Sequence, residues 1–267
     1  MLRFLFWNLN KKNLSSLIVQ AMISRRLDFA AFCEPGDDLE HVPAPLKGNH
    51  FLWRPPFGPR LRMLTRFPPR YLRTRVETDR YSLIEVRLPV RESFFLMLVH
   101  APSRASQWGA EALADEAADY ARELRRIEAE AGHTRSLVVG DFNMQPFDAG
   151  VYGARGFHAV ADRRDARKPR TVQRTVRPRR YNPMWNLLGD ETPGPPATLY
   201  HAGSTPRELG WHLFDQVLVG PDLIDGFGVP SLAIVDRIGD TPLTTRSGRP
   251  RRGRLSDHLP LYFEFTV

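Results

Sequence analysis

The 267 residues are 42% hydrophobic and 25% charged, an ordinary balance for a soluble globular chain and enough to bury a large core. Lysine and arginine outnumber aspartate and glutamate by 38 to 30; the resulting formal charge of +8 favours anionic partners without choosing among nucleic acid, acidic headgroups and phosphorylated small molecules. The single Cys33 excludes an intrachain disulfide and a cysteine-built metal site. No apolar stretch approaches the roughly 20 residues that span a bilayer, so a cytoplasmic, monomeric chain with no membrane anchor is expected.

Along the chain, residues 2–7 are apolar apart from Arg3 and read as a buried strand. Residues 14–26 carry Leu14, Leu17, Ile18, Ala21 and Met22 at helical spacing. Residues 28–33 form a strand ended by the turn Glu34-Pro35-Gly36, and residues 61–67, 81–88 and 94–99 read as further strands. The longest helix is expected over residues 107–131, with Leu113, Ala117, Tyr120, Leu124 and Ile127 as its apolar stripe. Residues 136–139, 213–219 and 259–265 complete the strands. Residues 162–210, rich in proline, arginine and glycine, read as one long irregular loop inside a single domain of residues 1–267.

Candidate chemistry collects at the strand ends, where a rigid scaffold aims polar groups and loops admit substrate. Period-two spacing would turn Asn8 and Asn10 to one side, and likewise Asp141 and Asn143 in Gly140-Asp141-Phe142-Asn143, with Gly140 allowing a tight turn. Glu34 offers carboxylate oxygen of the kind a hard cation such as Mg²⁺ takes. His100 ends a strand and leads into Ala101-Pro102-Ser103. Phe214-Asp215-Gln216 and Ser256-Asp257-His258 add carboxylates able to fix a histidine tautomer and raise its pKa.

In this order, Trp7-Asn8, Glu34, His100-Ala101-Pro102-Ser103, Gly140-Asp141-Phe142-Asn143, Phe214-Asp215-Gln216 and Ser256-Asp257-His258 resemble the endonuclease/exonuclease/phosphatase superfamily, the deoxyribonuclease I-like fold. The resemblance implies an α/β four-layer sandwich, with two mixed β-sheets face to face and helices outside, and a divalent cation, Mg²⁺ or Mn²⁺. It assigns the metal to Glu34, Asp257 and Asn10. Catalysis goes to Asp141, Asn143, His258, Asp215 and His100, and Asn8 lines the site. Cys33, His100, Gln216 and Asn10 depart from the abasic-site repair branch, and the setting of His100 is closer to the non-specific deoxyribonuclease and toxin branch.

The expected substrate is DNA or RNA. Arg249, Arg251, Arg252 and Arg254 run straight into Ser256-Asp257-His258, where they could neutralise backbone phosphates, and the arginines between Arg163 and Arg180 form a second basic run. Tyr181, Trp185, Tyr200 and Trp211 could stack bases or pack the loop. The alternatives are a phosphatase or phosphodiesterase for a small phosphorylated molecule or inositol-type headgroup, and a binding module without catalysis.

Overall fold

A computed structural model describes residues 1–46, 48, 50–55, 60–103, 109–189, 191–203 and 210–267. The apolar runs become strands: β1 (Leu2–Asn8), then the helix α1 (Ser15–Ser24), β2 (Phe29–Cys33), β3 (Phe51–Trp53), β4 (Leu61–Thr65), β5 (Leu72–Glu77), β6 (Tyr81–Val86) and β7 (Phe94–His100). Helix α2 (Ala110–Ala131) leads to β8 (Ser136–Asp141). It ends at Gly132, whose φ of 70° is the left-handed cap glycine adopts most readily. Its expected start at Gln107 lies outside the described residues.

The stretch expected as an irregular loop is largely ordered. After α3 (Ala149–Tyr152) and β9 (Ala159–Val160) come α4 (Arg163–Ala166), the hairpin β10 (Arg170–Val172) and β11 (Thr175–Arg177), β12 (Arg180–Tyr181) and β13 (Leu199–Tyr200). The chain closes with β14 (Trp211–His212), β15 (Asp215–Val219), β16 (Phe227–Ile234), β17 (Arg237–Ile238), β18 (Thr241–Pro242) and β19 (Leu261–Phe265).

One sheet has the order β16-β19-β1-β2-β4-β3 and the other β5-β6-β7-β8-β15-β12-β9. Both are mixed, since β1 pairs with β2 and β7 with β8 in parallel while most neighbours run antiparallel. On β7, Phe94, Leu96 and Leu98 join the core between the sheets, and Phe95, Met97 and Val99 join the core beneath α2. On β8, Leu137 and Val139 face inward and Val138 outward. This alternation explains the continuous apolar runs of β7 and β8, which are covered on both faces. Helix α1 covers the outer face of the first sheet, setting Ile18, Ala21 and Met22 against Leu5, Trp7, Ala30 and Phe32. The result is the four-layer sandwich.

Cys33 is buried in β2, and burial pushes its thiol pKa well up. Gly140 does not turn the chain as expected. It lies within β8, where a Cβ would collide with the Val99 carbonyl, so it is the close approach of β7 that requires glycine.

Arginines in the 163–180 run serve the fold. Arg163 donates to the Phe227 carbonyl and lies over the Tyr181 ring, Arg167 pairs with Asp225, and Arg179 donates to the Asp165 carbonyl. Arg180, 2% exposed, bonds Glu128 at 2.7 Å and Ser136 at 2.6 Å. Ser136 begins β8 and Asp141 ends it, about 16 Å apart at a rise of about 3.3 Å per residue. Arg180→Ala, which leaves Glu128 buried without its counter-charge and held only by Ser136 Oγ, is expected to cost about 3–5 kcal/mol in urea unfolding, whereas exposed Lys168→Ala should stay within about 0.5 kcal/mol.

Candidate active site

Strand alternation builds the site. Continuing the inward series of the second sheet, His100 follows Leu98, Asp141 follows Val139, and Asp215 precedes Val217. Register then places them side by side, His100 opposite Asp141 and Asp141 opposite Asp215. In the first sheet, Asn8 continues the inward series Phe4 and Phe6. The two sheets meet where Asn8 Nδ2 donates to Asp141 Oδ2 at 3.0 Å.

Period-two spacing stops at these strand ends. Asn10 and Asn143 have φ of 46° and 50°, left-handed values that asparagine tolerates better than most residues. Asn10 therefore turns back: its N–H donates to Asn8 Oδ1 at 2.9 Å and its Nδ2 to Asp257 Oδ1 at 2.8 Å. Asn143 does the same, donating its N–H to Asp141 Oδ1 at 2.9 Å and its Nδ2 to the Ala101 carbonyl at 2.9 Å. The expectation that each pair points one way from an extended strand is corrected; both asparagines reach the site through turns. Asn8, expected to line the site, is 2% exposed and braces Asp141 and Asn10.

His258 arrives on the C-terminal segment. Its N–H donates to Ser256 Oγ, Ser256 donates to the Asn8 carbonyl at 2.6 Å, and Trp7 Nε1 donates to the His258 carbonyl at 2.9 Å. This ties the segment to β1. His258 Nδ1 lies 2.7 Å from Asp215 Oδ2. Burial would lower the imidazole pKa, but the carboxylates of Asp215, Asp141 and Asp257 outweigh it and push it up to about 10. Burial pushes the carboxyl of Asp215 up as well. Both directions belong to a buried pair that keeps its shared proton.

Glu34, with φ of 45°, sits just past β2, and its Oε1 lies 3.3 Å from His100 Nε2. Hydrogen bonding from His100 first, and from Asn8, holds its carboxyl below the usual range. Asp141, Asp215 and His258 present ligand atoms within 4.8 Å of one another, a possible carboxylate/His metal site. Asp215 Oδ1 is buried with no hydrogen-bond partner among the described residues. A donor set this rich in oxygen fits a hard divalent cation. None of the three is among the residues expected to hold the metal, Glu34, Asp257 and Asn10.

Of the expected substrate arginines, Arg249 stacks over the Tyr200 ring at 4.1 Å and Arg251 Nε donates to the Thr244 carbonyl at 2.7 Å. Arg252 and Arg254 are exposed. Leu199, next to Tyr200, bridges to His258, yet none of the four arginines lines the cleft of about 640 Å³ beside Glu34 and His100. Among the described residues, the lysine and arginines that line it are Lys11, Arg60 and Arg80, which sequence reasoning missed. Arg60 and Arg80 immediately precede β4 and β6. That position at a strand end was the available signal, lost among the 38 basic residues. Among the aromatics, Tyr181 is buried and Trp211 packs edge-on to Tyr200 at 5.2 Å.

Two mixed sheets meeting at a carboxylate, asparagine and histidine cluster define the deoxyribonuclease I-like class of sandwich, whose members act on phosphoester bonds. The profile of the Endonuclease/Exonuclease/phosphatase family matches residues 5–258, and the chain belongs to that family. Solved structures share the fold. Truncated Caenorhabditis elegans TDP2 is 15% identical with a TM-score of 0.58, covering 100% of this chain and 98% of that one. An AP endonuclease from Archaeoglobus fulgidus is 14% identical at 0.56, covering 100% of both. The human Nocturnin catalytic domain with bound sulfate is 16% identical at 0.57, covering 99% and 94%. No curated protein matches the chain. Among the described residues, no helix is long and apolar enough to cross a membrane.

Proposed function

We propose that residues 1–267 act as one domain, a monomeric divalent-metal-dependent phosphodiesterase that hydrolyses DNA or RNA. The observation that carries this reading is the Asn8–Asp141 bond between the sheets, beside the buried His258–Asp215 pair. Asp141, held by Asn8 Nδ2 and the Asn143 N–H, orients water and takes its proton. His258, its Nδ1 proton fixed on Asp215, turns Nε2–H toward a non-bridging phosphoryl oxygen. Glu34, with Asp257 and Asn10, would hold Mg²⁺ or Mn²⁺, which supplies neutralisation of phosphoryl charge. His100, held against Glu34, faces the phosphate or the leaving group. Arg249, Arg251, Arg252 and Arg254 attract backbone phosphate along the approach.

A cleft of about 640 Å³ also suits a small molecule, which favours a second reading as a phosphatase or phosphodiesterase for a small phosphorylated substrate. Plasmid, single-stranded DNA, RNA, phosphoinositides and bis(4-nitrophenyl) phosphate, each with Mg²⁺ or Mn²⁺ and with chelator, separate the two. Metal-dependent cleavage of nucleic acid is expected. Turnover of the inositol esters with intact nucleic acid would favour the second reading, and no turnover of any substrate would end both.

A further inference from the structure

The cleft beside Glu34 and His100 has a basic wall. Lys11, Arg60 and Arg80 line it with Glu34, Asp37 and His100. All three cations are adjacent, through a main-chain hydrogen bond, to a site residue. The Lys11 N–H donates to the Glu34 carbonyl at 2.9 Å, the Glu34 N–H to the Arg60 carbonyl at 3.0 Å, and the His100 N–H to the Arg80 carbonyl at 2.8 Å. Lys11 and Glu34 both hold left-handed backbone, φ of 55° and 45°. Such conformations cost energy for residues other than glycine and persist where the surroundings fix them.

The charge balance then points to a ligand. Of the two carboxylates in that lining, Glu34 lies 3.3 Å from His100 Nε2, which leaves Asp37 beside the three cations. Arg80 keeps an ion pair with the adjacent, exposed Asp79 at 3.3 Å. Among the described residues, no carboxylate lies within ion-pair distance of Lys11 or Arg60.

We propose that Lys11, Arg60 and Arg80 form a subsite for a second phosphate next to the scissile one, so that the preferred substrate carries phosphates on both sides of a cut sugar or linker. This rests on the phosphoesterase reading and narrows its substrate class. The second phosphate comes from the next link of a polynucleotide or from a small bisphosphorylated molecule; the cations recognise the same group in both.

The test measures kcat/KM in Mg²⁺ for bis(4-nitrophenyl) phosphate, a dinucleotide with one phosphodiester, the same dinucleotide phosphorylated at its 5′ or its 3′ end, and a nucleoside bisphosphate. One phosphorylated dinucleotide, or the bisphosphate, is expected to exceed the plain dinucleotide by about tenfold or more, chiefly through KM. The better of the two identifies the source. In Arg60→Gln/Arg80→Gln that ratio falls toward one and its salt dependence flattens. A wild-type ratio near one, or an unchanged ratio in the double variant, overturns the subsite while the phosphoesterase reading stands. Failure to hydrolyse any of these compounds overturns both.

Discussion

His258→Ala lowers kcat for phosphodiester hydrolysis by about a thousandfold and leaves KM within a few-fold, because the lost hydrogen bond matters most as charge develops on the phosphoryl oxygens. The histidine is suited to this by its surroundings. Burial works against the imidazolium, but Asp215 at 2.7 Å, with Asp141 and Asp257, raises its pKa to about 10. A raised histidine pKa keeps the charged form below that value and loses it above, so kcat should hold through neutral pH and fall as pH rises through about 10. Asp215→Asn removes the nearest counter-charge and leaves burial less opposed. The alkaline limb of the pH–rate profile should then move toward neutral pH, and a stopped-flow or end-point pH series reads this directly. A limb that stays in place would show that Asp215 does not set the protonation of His258.

Asp141→Ala has a comparable effect on rate, about a thousandfold, and a second effect on stability. Both carboxylate oxygens accept: Oδ2 from Asn8 and Oδ1 from the Asn143 N–H. Removing them takes away two buried acceptors, at a cost of about 1–3 kcal/mol for each bond lost. A lower melting temperature should therefore accompany the lost activity. Asp141→Asn is no milder, since it sets an amide against two donors. Activity measured per folded molecule, from the same thermal melts, separates the two effects.

Much of the sandwich was legible because its strands are buried on both faces. β7 and the centres of β8 and β15 read as apolar runs, and His100, Asp141 and Asp215 at their ends mark the rim. What hid from sequence was whatever depended on tertiary partners. β5 is an edge strand with Arg73 and Thr74 exposed, so its pattern carries no apolar run. β16 contains Gly228 and Pro230 and shifts register against β19.

The arginines show the same limit. Arg180 and Arg254 look alike in sequence, yet one is buried on Glu128 and the other is exposed. Residue type found Asp141 and His258. Only their place just before a strand marked Arg60 and Arg80, whose position beside Glu34 and His100 follows from strand pairing over long range. Asn10 and Asn143 were found for the wrong reason, an extended backbone that in each case ends two residues earlier.

The most direct test of a single hydrolytic centre is a double-variant cycle on one phosphodiester substrate in Mg²⁺, with wild type, Asp141→Ala, His258→Ala and the double variant. Residues that act on one phosphate as a unit should give a double variant scarcely slower than the worse single variant, far short of the product of the two losses. Near wild-type activity in either single variant, or losses that multiply as at independent sites, would contradict it.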